Sequence, residues 1–332
     1  MCRIAQAIVL IISCIVSNSR SNLPLALLQR ARTRTSDRTV AARLISVKGN
    51  KELNDPLGAP AAINDLDIRN QYLTFERPYF DPSFQDLTTP QVRPYRVERI
   101  AQNVFLLKSF MTSWECESII HEAKCNYNMT EAKSVDDEKS RTNCKVAWLG
   151  DARLGGILEM IGKSAENAFV SIRAKESPMS RRSDLQVLHY AEGGQFTLHH
   201  DGLDRILTVI TYLNGVGETW LPLVNVGGKK GDYVEKCTCL EEAISQVADN
   251  EMVPGKDGIL VSGDSVLNNP HVVLVEQGDA VAFYSYDSEG GEDWQSIHAG
   301  LPCRYDEDGK WIATYWFHAP SLTIDEEIKT RG

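Results

Sequence analysis

The chain has no surplus of basic charge: 35 Lys and Arg stand against 45 Asp and Glu, a formal net charge of −10. Neutralising phosphates takes clustered cations, so the balance argues against a nucleic-acid-binding surface and weakly favours polypeptide partners that are neutral or basic. It also has no apolar run of the roughly 20 residues that cross a bilayer as a helix; the opening run, Ile4 to Val16, spans 13. No internal repeat of solenoid period is present, which excludes a stacked array. Cysteine pairs at zinc-ribbon spacing are missing too. Cys237-Thr238-Cys239 has no second Cys or His pair to match it, so it reads as a loop disulfide or as thiols rather than as a zinc site. Histidine is scarce, with seven in 332 residues, so a histidine inside a strand-like stretch is informative.

What is present divides the chain. Arg3, the run Ile4 to Val16 and the small polar Ser17-Asn18-Ser19 have the layout of a secretory signal in residues 1–20. A cleaved signal, a membrane anchor through residues 4–16 and a buried helix all remain open. The sequon Asn128-Met129-Thr130 fits a lumenal location. Outside the leader's Cys2 and Cys14, six cysteines remain, an even number that permits disulfides without fixing their connectivity. The expected location is therefore the endoplasmic reticulum or another secretory-pathway lumen. The chain ends Lys329-Thr330-Arg331-Gly332 rather than in a retention tetrapeptide, so retention there calls for an anchor or a partner.

Residues 21–95 alternate Arg with Thr and Ser and then scatter Pro, Asn and Asp, which predicts a poorly ordered stem or linker. A folded domain is expected over residues 96–320, followed by a tail at 321–332. Val97 to Phe110 reads as strands, Ser113-Trp114-Glu115-Cys116-Glu117 as the capped start of a helix, and Leu154 to Ile172 as a second helix. Short β-runs then follow at Leu185–Tyr190, Ile206–Leu213, Glu218–Leu223, Asp279–Ser285, Ser296–His298 and Lys310–His318, with Gly193-Gly194 and Gly278-Asp279 as turn signals. This texture predicts a mainly β domain with flanking helices, a double-stranded β-helix or jelly roll.

Four polar residues stand inside those strand-like stretches: His199, Asp201, His298 and Lys310. His-x-Asp alone is a common tripeptide and reads as a surface turn. With His298 arriving 97 residues after Asp201, it fits the two-histidine, one-carboxylate triad that holds Fe(II) on one face and leaves the other positions open. Residues 199 and 201, two apart on a strand, project to the same face, whereas His200 projects to the other. His189 reads as a packed strand residue, and His121 and His271 lack ligand context. Lys310 supplies a cation for a cosubstrate carboxylate; the alternative is a solvent-facing strand lysine.

Tyr190-Ala191-Glu192-Gly193 with His199 and Asp201, Gly217-Glu218-Thr219-Trp220-Leu221-Pro222, Gly278-Asp279-Ala280, His298-Ala299-Gly300-Leu301-Pro302 and Gly309-Lys310-Trp311 occur in the order found in the catalytic domain of prolyl 4-hydroxylases, over roughly residues 97–320. Arg141-Thr142 resembles that family's upstream Arg-Thr motif. The resemblance implies Fe(II) held by His199, Asp201 and His298, and 2-oxoglutarate and dioxygen as cosubstrates. It also implies Lys310, Tyr190 and Trp316 around the 2-oxoglutarate, and ascorbate as the reductant for uncoupled turnover. The implied activity is 4-hydroxylation of proline in a proline-containing polypeptide, collagen-like or hydroxyproline-rich, coupled to decarboxylation of 2-oxoglutarate to succinate. Arg141 is expected either to help bind the peptide or to form a structural salt bridge.

Two departures from the family pattern stand out. His298 to Lys310 is two residues longer than the commonest spacing, and the connection from about 225 to 275 is much longer than in typical relatives. It is read as a lid or rim of the peptide groove, or as a decoration. Residues 21–95 do not resemble a helical-repeat peptide-binding domain, so a disulfide-isomerase partner is left open. Competing readings are the same iron chemistry on lysine or a small molecule, and a non-catalytic jelly-roll module or zinc-type hydrolase.

Overall fold

The structure is a computed structural model that describes residues 72–79, 91–132, 140–172, 184–202, 204–224, 237–263, 269–287, 290–305 and 308–319. The leader, the residues of the stem before 72, Lys229-Lys230 and the tail lie outside the described residues. The strands, in chain order, are β1 (Tyr72–Tyr79), β2 (Gln91–Ala101), β3 (Val104–Lys108), β4 (Thr130–Glu131), β5 (Arg141–Leu149), β6 (Leu185–His199), β7 (Arg205–Tyr212), β8 (Glu218–Leu221), β9 (Ile259–Ser262), β10 (Val272–Leu274), β11 (Ala280–Tyr284), β12 (His298–Gly300) and β13 (Lys310–His318). The helices are α1 (Ser113–His121), which runs on into a π-helical turn at Glu122–Tyr127, α2 (Asp151–Leu154), α3 (Ile157–Ile172) and α4 (Leu240–Asp249).

Among the described residues the strands form one curled sheet in the order β1-β2-β3-β11-β7-β13-β6-β12-β8-β9-β10, with β5 also paired to β6 and β4 to β5. Most pairs are antiparallel, and the central ones, β11 with β7 and β13 with β6 and β7, join strands distant in sequence, as a double-stranded β-helix requires. The pleat divides each central strand between two layers. Trp311, Ala313, Tyr315 and Phe317 of β13 pack outward with Leu207 and Val209 of β7 and Ala280, Ala282 and Tyr284 of β11 against Ala165, Ala168 and Phe169 of α3. The residues between them, Ile312, Ile210, Val281 and Phe283, face the barrel interior together with Leu188 and Tyr190 of β6. Apolar character on both faces is why these strands read as nearly continuous hydrophobic runs.

Four sequence expectations are corrected. The stem does not extend to residue 95: β1 pairs along its length with β2, and Arg77, fully buried, meets Glu115 at 2.6 Å. The helix cap sits one residue earlier than expected. Thr112 accepts from the Glu115 amide at 3.1 Å while Glu115 accepts from the Thr112 amide at 2.8 Å, closing the reciprocal box. Leu154 ends α2 and does not open α3, because Gly155 and Gly156 both take positive φ and break the helix between them. Gly193-Gly194 is not a turn between strands. It lies within the 15-residue β6, where a Cβ on Gly194 would stand 2.6 Å from the Asn143 carbonyl of β5, so glycine permits a close backbone approach and a register shift.

The stretch expected between residues 225 and 275 contributes α4, β9 and β10. Cys116, Cys125, Cys144 and Cys239 are free thiols.

Candidate active site

β6 ends at His199, β12 begins at His298, and the two are directly paired in the antiparallel ladder. A separation of 99 residues in sequence thus becomes adjacency across two strands, with the imidazole centroids 4.1 Å apart. Asp201 follows two residues after His199, on the same side, with its Oδ1 3.8 Å from His199 Nε2. One ligand atom from each of His199, Asp201 and His298 lies within 4.8 Å of the others, a spacing that suits a single metal ion.

The tautomers are fixed by the backbone. His199 Nδ1 is 2.8 Å from the Thr197 carbonyl and His298 Nδ1 is 2.9 Å from the Ser296 carbonyl, each two residues upstream. A carbonyl oxygen only accepts, so Nδ1 carries the proton on both rings and both Nε2 lone pairs face the site. Burial pushes the His199 imidazole down to about 3, with His298 adding to the shift, and burial likewise lowers His298, so both rings are neutral. Burial alone would raise the Asp201 carboxyl; any positive charge on His298 or His199 lowers it, and hydrogen bonds from Thr208 and Trp316 favour the carboxylate even beside neutral rings. The donor set is two neutral imidazoles and one carboxylate, which suits Fe(II) with open positions.

Around this triad the ring of Phe196 stacks on His199 at 3.7 Å, and Phe283 lies 4.7 Å from His298. Thr208 Oγ1 donates to Asp201 Oδ2 at 2.6 Å and Trp316 Nε1 donates to the same oxygen at 3.1 Å, which leaves Oδ1 turned toward the histidines. The resemblance grouped Trp316 with Lys310. The two share the interior face of β13 but stand six residues apart, about 20 Å along a strand, and Trp316 serves the carboxylate.

Lys310 pairs with Tyr190 across β13 and β6, and its Nζ lies 5.6 Å from the Tyr190 ring centroid. It is not the solvent-facing lysine of the alternative reading, being 1 % exposed. Its stem runs under Gly217, whose Cβ position would be 2.3 Å from Lys310 Cδ. The ammonium donates to the Glu218 carbonyl at 2.6 Å. An ammonium carries three donors, and burial with one acceptor among the described residues leaves it poised for an anionic ligand. Burial lowers it to about 8, against raising contributions from Cys303, Glu218 and Cys144. Burial raises the Tyr190 hydroxyl, with Cys144 and Arg141 beside it.

Arg141, at the start of β5, lays its guanidinium 3.9 Å over Phe196, and its buried Nε has no hydrogen-bond partner among the described residues. His200, His189 and His271 stand outside the cluster. His200 packs near Trp294, His189 stacks on Trp311, and His271 bonds the Gly258 carbonyl at 2.9 Å.

Sequence reasoning missed Thr208, Phe196 and Arg205. Arg205 lies 4.1 Å over Trp316 with Nη1 3.8 Å from Asp201 Oδ1, and the exposed Trp148 lies against Trp316 in a tilted arrangement with ring centroids 5.8 Å apart. The signal for Thr208 was available: it is in phase with Ile210 and Tyr212, so it is a polar residue on an interior-facing register.

Residues 185–318 match the family model described as the 2OG-Fe(II) oxygenase superfamily, and the chain carries a domain of that superfamily, with Fe(II) and 2-oxoglutarate as its cofactor and cosubstrate. In sequence that domain is similar to prolyl 4-hydroxylases. The chain is 29 % identical over 231 residues to the probable prolyl 4-hydroxylase 8 of Arabidopsis thaliana, covering 64 % of this chain and 68 % of that one. It is 26 % identical over 251 residues to prolyl 4-hydroxylase 2 of the same plant, covering 70 % and 73 %. Among solved structures, the viral collagen prolyl hydroxylase of Paramecium Bursaria Chlorella virus-1 aligns with a TM-score of 0.43 at 19 % identity, over 66 % of this chain and 97 % of that one.

Proposed function

We propose that the chain is a prolyl 4-hydroxylase of the secretory pathway, acting on peptidyl proline in collagen-like or hydroxyproline-rich proteins. The observation that carries the reading is the placement of His199, Asp201, His298 and Lys310 on the interior of one barrel, with both Nε2 lone pairs and a buried ammonium facing inward. In this reading the triad holds Fe(II), and Lys310 pairs with the distal carboxylate of 2-oxoglutarate beside Tyr190. Bound there, Fe(II) and 2-oxoglutarate would supply oxidative chemistry from dioxygen, with one oxygen atom entering succinate, the other the C4 hydroxyl of proline, and carbon dioxide released.

The protein's own contribution is orientation and exclusion of water. Thr208 and Trp316 keep Asp201 in one pose. Phe196 and Phe283 wall the histidines. In this reading the half-buried guanidinium of Arg141, braced on Phe196 and hydrogen-bonded to the Tyr190 hydroxyl, meets a peptide carbonyl. Trp148 and Arg205 offer a flat, partly exposed rim on which a proline-rich chain can lie.

The secretory placement rests on the leader layout and on Asn128 of the sequon, which is exposed in a left-handed turn. Residues 4–16 serve as signal or anchor, and ascorbate is the reductant for uncoupled turnover.

The test is succinate release by protein lacking residues 1–20, supplied with Fe(II), 2-oxoglutarate and ascorbate, with and without a polyproline peptide. The expected result is peptide-dependent succinate and peptidyl 4-hydroxyproline, both abolished in His199→Ala. Metal-dependent succinate that ignores the peptide would move the acceptor away from proline.

A further inference from the structure

The helix α4 belongs to none of the strands that carry the site, yet it lies directly behind two of them. Its inward residues Ala243 and Val247 are buried in one apolar cluster with Trp294 and Ile297, against which Leu198 packs. Leu198 immediately precedes His199, and Ile297 immediately precedes His298. Neighbouring strand residues point to opposite faces, so Leu198 turns toward α4 as His199 turns toward the site.

The same cluster borders both carbonyls that fix the imidazoles. The Thr197 carbonyl that accepts from His199 Nδ1 belongs to the peptide bond joining Thr197 to Leu198. The Ser296 carbonyl that accepts from His298 Nδ1 is that of the last residue of the short 3-10 turn Trp294–Ser296, which the Ile297 N–H closes by donating to the Trp294 carbonyl. That turn is tied to the segment leading into α4, because Trp294 Nε1 donates to the Cys237 carbonyl at 3.1 Å. A continuous path of packed groups therefore joins α4 to the two atoms that set the tautomer and aim of both ligands.

We propose that α4 and Trp294 are positioning elements for the metal centre, holding the Thr197 and Ser296 carbonyls so that both Nε2 atoms converge on one ion. This rests on the reading of His199, Asp201 and His298 as metal ligands. It assigns the described part of the long connection to the back of the metal site, distinct from a lid over the peptide groove. Partners that orient metal-binding histidines change affinity by about 10–100-fold when lost. An element acting through such partners falls at the lower end of that range.

The experiment is a Co(II) titration of the apo protein, following the visible absorption of the bound ion, which reports both affinity and ligand geometry. Trp294→Phe keeps the packing and removes the bond to Cys237; Val247→Ala thins the α4 contact without touching the turn. Ile119→Val, a fully buried change in the helix-side core, is the control for lost stability alone. The expected result is Co(II) affinity about tenfold weaker in Trp294→Phe and several-fold weaker in Val247→Ala, with an altered spectrum, while Ile119→Val leaves both unchanged. Unaltered affinity and spectrum in whichever of the two variants folds, while His199→Ala loses Co(II), would overturn the positioning role and leave the metal site standing. Parental Co(II) binding by His199→Ala would instead sink the metal site, and the inference with it.

Discussion

Trp316 donates its indole N–H to Asp201 Oδ2 at 3.1 Å, across 115 residues of sequence, and shares that oxygen with Thr208. Two donors on one oxygen direct the other toward the histidines and lower the basicity of the carboxylate at once. Replacing Trp316 by Phe keeps the ring against Trp148 and Arg205 but removes the donor; Thr208→Val does the same for the hydroxyl with little change of volume. Each is expected to weaken Fe(II) affinity about 10–100-fold while leaving 2-oxoglutarate affinity of the metal-loaded protein nearly unchanged. Metal titration of the two variants checks this, and an unchanged affinity in both would remove the hydrogen bonds from the site's economy.

The Lys310 ammonium sits near 8 in the ligand-free protein because burial disfavours its charge. In the unfolded chain a lysine titrates near 10.4, so between about pH 8 and 10.4 the unfolded state binds more protons and this group's contribution to stability rises with pH. Below about pH 8 the buried charge is a cost to folding that an anion on Nζ relieves. Two trends with pH are therefore expected. The kcat/KM for 2-oxoglutarate holds up to about pH 8 and falls above it, by about tenfold per pH unit at the limit. The thermal stabilisation given by 2-oxoglutarate shrinks over the same interval. In Lys310→Met the pH limb disappears and kcat/KM is low throughout; a limb that persists in that variant would assign it to another group.

Gly217 takes φ +96°, and a Cβ there would meet the Lys310 side chain at 2.3 Å, with Cδ as the nearest atom. Gly217→Ala is therefore strained in backbone and pushes the stem of Lys310 aside. The expected effect is a KM for 2-oxoglutarate raised by about tenfold or more, equivalent to about 1.4 kcal/mol, with metal affinity preserved. Metal affinity falling in parallel would mean that the strain spreads beyond the Lys310 pocket.

The Arg141 guanidinium is braced on Phe196 and hydrogen-bonded to the Tyr190 hydroxyl, with its buried Nε unpartnered among the described residues. Arg141→Lys retains the charge but not the flat stacked geometry. It is expected to raise the KM for the peptide several-fold with the KM for 2-oxoglutarate unaltered, and Arg141→Ala to raise it further. Loss of thermal stability without any change in peptide KM would assign Arg141 to the fold.

The legible parts of this chain were those where chemistry coincides with period. The lysine and aromatics of β13 were readable because they stand in one nearly continuous hydrophobic run, whose expected span matches Lys310–His318. His298 was readable as a ligand because few histidines compete. The strand pairing that brings His298 opposite His199 was not readable, since it depends on closure of the sheet. Phe196 and Arg205 escaped for a related reason: their roles are contacts to site residues, and a phenylalanine or arginine in a strand carries no mark of what it touches, whereas Thr208 was marked by its phase with Ile210 and Tyr212. Gly193-Gly194 misled because glycine serves close backbone approach as well as turns, and sequence alone does not separate the two. The end of the linker was missed because β1 holds Arg77, Pro78 and Glu76, which read as linker until the partner of Arg77 is seen.

That partner sets the last prediction. Arg77 is fully buried and forms a two-pronged contact with Glu115, at 2.6 Å and 3.1 Å, and it also donates to the Phe110 carbonyl. Glu115 in turn closes the cap of α1. Removing one member of a buried pair strands the other, at a cost of about 3–5 kcal/mol. Arg77→Met is therefore expected to lower Tm by about 10 °C for a domain of this size. Arg77→Met combined with Glu115→Leu removes the stranded charge and recovers most of that loss, less about 1 kcal/mol for the broken capping box. The same reasoning says that protein beginning at residue 96 is far less stable than protein beginning at residue 72, since it lacks β1 with its Arg77 and the start of β2 with the buried Tyr95. Thermal melts of the single variant, the double variant and the two truncations test the point. Equal melting temperatures for the truncations would show that β1 only decorates the edge of the sheet.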